Sequence, residues 1–457
     1  MHNSDRHERM ASTFFAAAVA AACAATSAGA ADDEGRWCRF RGPNGSGIAG
    51  PADVPVRWTE GDYNWKVTLP GGGYSSPVVW KDRLFLLCAD DATARRMVVC
   101  LRTADGRGLW RKDYDSTPHR FAKGNSYASA SPAVGDDGVY VTWTTPKEIT
   151  LAGFTLDGRE KWRRNLGPYA TPYGSGTSPI LVGDAVVLAN EQTRAGFLIA
   201  VDRRTGETRW RVDRRMKLPS WATPCLLRRG GLTEIIFASS AYGFAALDAN
   251  SGRMVWQAKD AVPDRIAAST IVADGLVVGA CASGERGVEV SAVRPGDAPA
   301  GGEVKVAYAY RTPEVPYVPT PLAADGRLFL WGDKGAVTCL RLRDGRKLWA
   351  GDVEARFYGS PVCVGGRLYC ISADGVVVVL AAADAFQLLA RNDLGERSSS
   401  TPAIADGIMY LRTYTHLVSI GGRGAKKGQA NDERHRETGG PAGGGGAPVA
   451  GGGGAGR

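Results

Sequence analysis

A short Ser/Thr-Pro signature recurs along the chain every 40 to 55 residues or so, and this period constrains the fold more than any other feature. It reads SSPVVW at Ser75, SASPAV at Ser129, GTSPIL at Gly176, ATPCLL at Ala222, VPTPLA at Val318, GSPVCV at Gly359 and STPAIA at Ser400. An eighth copy, ASTIVA at Ala268, has Thr270 in the proline position. The spacing matches one four-stranded blade of a β-propeller.

Each copy runs into a tight turn and a β-branched or aromatic strand, as in DGVYVTW at Asp137 and GRLFLW at Gly326. A third strand then leads to a second turn and a Trp: Trp110, Trp162, Trp210, Trp256 and Trp349. Gly in these turns supplies the positive φ of a hairpin, and Asp or Asn caps it. A large ring at a fixed place in every blade reads first as packing between neighbouring sheets. In the fifth repeat Tyr308 or Tyr310 stands in for the Trp, and in the seventh Leu389 does so.

The eighth repeat stops one strand short, after YTHLVSI, whereas YNWKVTL around Trp65 is an outer strand with no blade before it. Pairing the two closes the ring and removes an open edge. The expectation is therefore an all-β, eight-bladed propeller of four-stranded antiparallel blades, closed by the strand around Trp65. It spans 58–420 and follows an extension at 31–57.

The ends of the chain read differently. Residues 1–30 have the order of a secretory signal: Arg6 and Arg9, an apolar stretch from Ala11 to Ala22, and Ala28-Gly29-Ala30 as the cleavage site. Acylation at Cys23 is the rival use of the same segment. Residues 421–457 are Gly-rich, have no apolar face, and read as a disordered tail and flexible spacer. Outside the N-terminus no apolar run approaches the roughly 18 to 20 residues of a membrane-spanning helix. The tail carries three of the nine net positive charges and residues 1–30 carry none, so the middle holds a mild, spread excess of six. That is no basic stripe, and no nucleic-acid partner is expected. The eight cysteines after the signal form no C-x-x-C pair and no zinc spacing, and read as buried thiols inside strands.

The combination of xSPxVxxGxVYV, a third strand of the form LDxxTG and a closing Trp resembles the PQQ-like β-propeller repeat, over essentially all of 37–420. That superfamily includes pyrroloquinoline quinone (PQQ) dependent alcohol dehydrogenases and the BamB-type lipoprotein of the outer-membrane assembly machinery. WCRFRGPNGSG at Trp37, WKVTLPGGGYSSPVVW at Trp65, HRFAKGNSYASASP at His119 and YGSGTSPIL at Tyr173 are similar to secreted PQQ-like propellers of planctomycete-type bacteria. The resemblance fixes the fold and leaves the activity open. The dehydrogenases are similar to one another in vicinal cysteines and in a Glu/Asn/Asp set holding Ca²⁺ beneath the quinone. This sequence has no adjacent cysteines, and no carboxylate cluster maps onto that set. No metal site is expected.

Propellers bind ligands at the mouth of the central channel, lined by the loops that enter each inner strand. A few residues before each signature lie Tyr74, Tyr127, Tyr173, Trp221, Arg265, Tyr317, Tyr358 and Arg397. Such a ring of π-faces with two cations suits a flat anion, or the side chains of a partner loop. The longest loop, from Lys112 to Ala130, adds His119 and Asn125, and a general base would be sought at His119. No catalytic set emerges. The leading expectation is an exported, non-catalytic binding or scaffold propeller of the periplasm or cell envelope, with an envelope protein as partner and no cofactor. The alternatives are a PQQ- and Ca²⁺-dependent oxidoreductase, and a propeller that recognises sugar or peptide.

Overall fold

The computed structural model describes residues 36–422 except 284–285, 297 and 299–300. The signal at 1–30, the acylation at Cys23 and the tail from 423 lie outside the described residues. Strands follow in eight sheets, seven of them with their strands in chain order from the channel outward. The first blade is Val78–Trp80, Arg83–Ala89, Arg96–Arg102 and Gly108–Tyr114, and the pattern repeats around an eight-bladed β-propeller. The last blade takes Ala403–Ala405, Ile408–Arg412 and His416–Gly421 from the end of the chain and Tyr63–Thr68 from its start. Arg412, fully buried, fastens this closure by donating to the carbonyls of Ser75 and Leu87 in the first blade, both at 2.7 Å. In the fourth blade a short fifth strand, Gly302–Glu303, pairs in parallel with the outer strand Met254–Ala258 and covers its edge.

The repeated hydroxyl has a structural purpose that the spacing alone does not reveal. The backbone N–H of Ser76 donates to Ser131 Oγ, Ser131 to Ser178, Ser178 to Thr223, Thr223 to Ser269 and Ser269 to Thr320. Thr320 then donates to Ser360, Ser360 to Thr401, and Thr401 back to Ser76, with all eight distances between 2.9 and 3.1 Å. A closed circle of hydrogen bonds therefore surrounds the channel. Each blade gives one donor and one acceptor, so buried inner strands are joined with no orphaned amide.

At the rim, the outer-strand Trp of one blade docks on the next. Trp65, Trp110, Trp162, Trp210 and Trp349 donate Nε1–H to the carbonyls of Thr103, Leu156, Arg203, Ala249 and Ala383 at 2.9 to 3.0 Å. Opposite these rings in their own blades stand Ser419, Cys100, Gly153, Ala200 and Cys339, all small. The turn glycines are required where the rings arrive: at Gly206, φ is +77° and a Cβ would lie 2.7 Å from Trp162. Tyr308 takes the same place in the fifth blade, opposite Ala292, and its hydroxyl donates to Leu342 at 2.7 Å.

Two blades depart from the pattern. Trp256 donates instead to Glu234 inside its own blade, and Gly302 lies beside it on the added fifth strand. In the seventh blade the register places Ala390, not Leu389, opposite Val379, which corrects the expected stand-in. The blade that follows ends the described propeller without a third-to-fourth-strand turn, so a docking ring would have no turn to rest on. Residues 54–58 occupy this flank: Asn392 donates to Val56 O and accepts from Trp58 N, and Arg57 donates to Leu389 O.

Candidate functional site

The N-terminal extension closes one end of the channel. Trp37 and Cys38 offer their carbonyls to Val79 N and Val134 N on the first two inner strands. The chain then crosses the channel: Arg39 donates to Pro224 O at 2.5 Å, and Asn44 exchanges two hydrogen bonds with Leu226 in the fourth blade. Arg41, with no exposed surface, donates to Gly45 O and to Pro361 O in the seventh blade, where Gly47 and Ala49 also bond to Cys363. A buried guanidinium is costly, and its pKa is pushed down to about 9 by burial. The tight reversal needs glycine: Gly42 has φ +66°, and a Cβ there would be 2.5 Å from the Trp37 ring. Phe40 is left facing the channel as the floor of a blind pocket.

That pocket has a volume of about 440 Å³, within the range of small-molecule sites. Of the sequence-predicted ring, Tyr74, Tyr173, Trp221, Arg265, Tyr317 and Tyr358 line it, together with Asn125. Tyr173 and Trp221 meet edge to face at 5.7 Å, and Trp221 is fixed by donating Nε1–H to Gly174 O at 2.9 Å. Six of the eight circle hydroxyls, among them Ser269 and Thr320, lie deeper in the same wall.

Three predicted residues do not line this pocket. Arg96 sits 4.7 Å over the Tyr127 ring, which also packs on Phe121, so Tyr127 is held on the outer side of its loop. His119 is there too, 5.1 Å from Tyr127, with Nδ1 2.9 Å from Thr117 O. Burial, with the Arg96 charge adding to it, lowers its pKa, and it has no catalytic partner in the pocket. Arg397 stacks on Tyr414 at 4.1 Å, behind Tyr74, and borders a separate cavity.

Lys123 of the long loop lines the pocket too. Other lining residues were not anticipated: Asp333 and Lys334 come from the turn after the second strand of the sixth blade, and Arg356 from the loop into the seventh. Asp333 accepts from the backbone N–H of Tyr317 at 2.6 Å and of Val318 at 3.2 Å. Burial raises its pKa to about 6 against those bonds and the charge of Arg356. The lining thus holds four cationic side chains and one carboxylate.

The long loop straps the open end. Ala122 N and Asn125 Nδ2 both donate to Tyr173 O in the third-blade loop, at 3.1 and 2.9 Å. Gly124, φ +86°, passes so close to Tyr358 that a Cβ would lie 2.9 Å from its ring. The loop therefore reaches from the second-blade side across to the seventh.

The donor set fits a calcium-held quinone poorly. Calcium takes six to eight oxygens, several of them carboxylate, whereas the one carboxylate lining this pocket already accepts two backbone hydrogen bonds. Among the described residues no group of three His, Cys, Asp or Glu is placed to hold a metal ion, and the eight described cysteines are buried. No helix of the described residues is long and apolar enough to cross a membrane.

Comparison with known proteins agrees with this architecture. The chain matches the family model described as outer membrane protein assembly factor BamB over residues 56–216, 193–315 and 312–439. It is 23% identical over 338 residues to the outer membrane protein assembly factor BamB of Yersinia pestis, covering 72% of this chain and 71% of that protein. The crystal structure of BamB from Moraxella catarrhalis superposes with a TM-score of 0.57 at 15% identity, covering 78% of this chain and 98% of the other. The quinohemoprotein alcohol dehydrogenase of Comamonas testosteroni superposes with a TM-score of 0.62 at 11% identity, covering 85% and 81%. At these identities the structural likenesses establish the fold alone.

Proposed function

The chain belongs to the family of the outer membrane protein assembly factor BamB, and from that premise we propose that it is an exported, non-catalytic propeller that supports outer membrane protein assembly in the cell envelope. Its role is to present a rigid surface to an envelope protein partner. The observation that carries this reading is the family match across nearly the whole propeller. The site chemistry supports it: His119, the residue at which a general base would be sought, does not line the pocket, and the pocket's sole carboxylate is tied to backbone amides. The closed hydroxyl circle and the crossing extension make a stiff body, which suits a surface that holds partners in fixed relation.

The test is deletion of the gene in its own host, followed by heat-modifiability gels for folded outer-membrane β-barrels. The reading expects folded barrels to fall and the full-length chain to restore them. Unchanged barrel levels and an unchanged membrane permeability barrier would refute it.

A further inference from the structure

The segment that closes the far end of the channel carries the chain's one Asn-Gly pair, Asn44-Gly45. Each residue answers a separate demand of the crossing. Asn44 sits at φ 48° and ψ 23°, a left-handed conformation that asparagine tolerates. Its side-chain amide stands in for a backbone unit: Nδ2 donates to Leu226 O at 2.8 Å and Oδ1 accepts from Leu226 N at 2.7 Å. Gly45 has φ +69°, where a side chain would be strained. The fold therefore joins two residue types whose juncture is chemically weak. An asparagine carboxamide is open to attack by the next backbone nitrogen, and glycine, without a side chain, leaves that nitrogen unshielded. The docked segment holds this reaction off. Leu226 occupies both polar atoms of the Asn44 amide, and the Gly45 N–H is engaged by Gly42 O at 3.0 Å. Arg41 braces the same turn by donating to Gly45 O at 3.1 Å and, across the channel, to Pro361 O at 3.0 Å.

We propose that Asn44 is a deamidation site guarded by its own docking, and that its conversion unlocks the far end of the channel for good. When the crossing segment lifts, the Gly45 nitrogen bonds to Asn44 Cγ and the Cγ–Nδ2 bond breaks. Ammonia leaves with the proton that the Gly45 nitrogen gives up. Water then opens the cyclic imide at one carbonyl or the other, giving aspartate or isoaspartate, and no oxidant or reductant is needed. Redocking fails after that step. An aspartate has no N–H for the Leu226 carbonyl and sets a carboxylate oxygen against it, acceptor facing acceptor. An isoaspartate lengthens the backbone of a turn that already holds two successive left-handed residues. Local opening of the segment, rather than surface exposure, sets the rate. The proposal goes beyond the assembly reading and does not rest on it, since the ageing of this segment is the same whether or not the propeller supports assembly.

The experiment ages the purified mature chain at mildly alkaline pH, folded and in urea, and follows Asn44 by peptide-mapping mass spectrometry. Asn250, exposed in a turn and followed by Ser251, serves as an internal clock. Asn44 is expected to convert faster than Asn250 in urea, and at least tenfold more slowly in the folded chain than in urea. Arg41→Ala removes the brace and keeps Asn44 and Gly45, so it should raise the folded-state rate at Asn44 severalfold and leave Asn250 unchanged. Asn44→Asp, made directly, should speed hydrogen exchange severalfold at the Gly47 and Cys363 amides, which bond to Arg41 O and Gly47 O, and leave the hydroxyl-circle amides at native rates. Thermal melts show whether each variant is folded, and the wild-type comparison stands without any variant. Equal Asn44 rates in the folded and unfolded wild type, or an Asn44 slower than Asn250 in urea, would overturn the proposal. So would a folded Arg41→Ala chain with no gain in rate at Asn44, or a folded Asn44→Asp chain with wild-type exchange at both amides.

Discussion

Replacing Ser178 by alanine removes one oxygen from the circle around the channel and leaves its own backbone N–H still bonded to Thr223 Oγ1 at 3.1 Å. What is lost is the acceptor for the Ser131 N–H, held at 2.9 Å between residues that are both 1% exposed. Among the described residues no other acceptor serves that donor, and an orphaned buried N–H costs about 1–3 kcal/mol. The entropy of unfolding, near 2.1 cal/mol/K per residue, amounts to about 0.8 kcal/mol/K for a body of this size. The expected fall in Tm is therefore ~1–4 °C, read by intrinsic-fluorescence melting against wild type at a fixed scan rate. Hydrogen exchange should show faster exchange at the Ser131 amide, with the far side of the ring unchanged. Ser178→Thr keeps the oxygen, as Thr223, Thr320 and Thr401 do at equivalent places, and should restore both readouts. A Tm within half a degree of wild type together with unaltered Ser131 protection would refute the account of the repeat.

Three further outcomes follow from other parts of the molecule. Gly206→Ala should lower Tm by more than Trp162→Phe, because it forces a Cβ to 2.7 Å from the Trp162 ring at φ +77°, whereas the Phe variant leaves the Arg203 carbonyl still accepting from Tyr140 at 3.0 Å. The reverse order in melting curves would contradict the docking geometry. Arg41→Ala should loosen the crossing segment, which covers Cys363, so that a thiol buried in the native chain becomes reactive to Ellman's reagent in a Cys23→Ser background; unchanged thiol titres would show that the segment holds without Arg41. Burial raises the Asp333 pKa from 3.8 to about 6, so the native state binds this proton more readily than the unfolded chain, and wild-type stability falls as pH rises through that window. The Tm of Asp333→Asn relative to wild type should accordingly climb between pH 4 and about 6 and then level off, and a flat or falling difference would refute the assigned burial.

The fold was legible because its determinants are periodic. The hydroxyl circle lies in the Ser/Thr of the Ser/Thr-Pro signature, and even the copy that lacks proline keeps Ser269 and its bond. The rim Trp positions were legible for the same reason, and the closing strand announced itself by carrying Trp65 with no blade before it. Leu389 was misplaced by one residue because a bulge between Val379 and Leu380 shifts the register.

The pocket was half legible. Counting back from each signature finds the loops at the mouth but assumes that they share one length. The longest of them folds across the mouth, so its Tyr127 turns outward beneath Arg96, and Arg397 leaves the ring to stack on Tyr414. Asp333 and Lys334 were missed because the turn after each second strand ends on the same face as those loops. The crossing segment was invisible for another reason. WCRFRGPNGSG has no period, and its partners lie as far away as Pro361, 320 residues along the chain. Three close glycines directly after Arg39 and Arg41 were the one signal of a tight, polar reversal.

The most direct test of a propeller that holds partners without turning over substrate is to supply the purified mature chain with PQQ and Ca²⁺, then assay dye-linked oxidation of alcohols and sugars. The account predicts no turnover above the protein-free control and no Ca²⁺-dependent quenching of Trp221 fluorescence. Quinone-dependent turnover, abolished in Arg265→Ala, would contradict it.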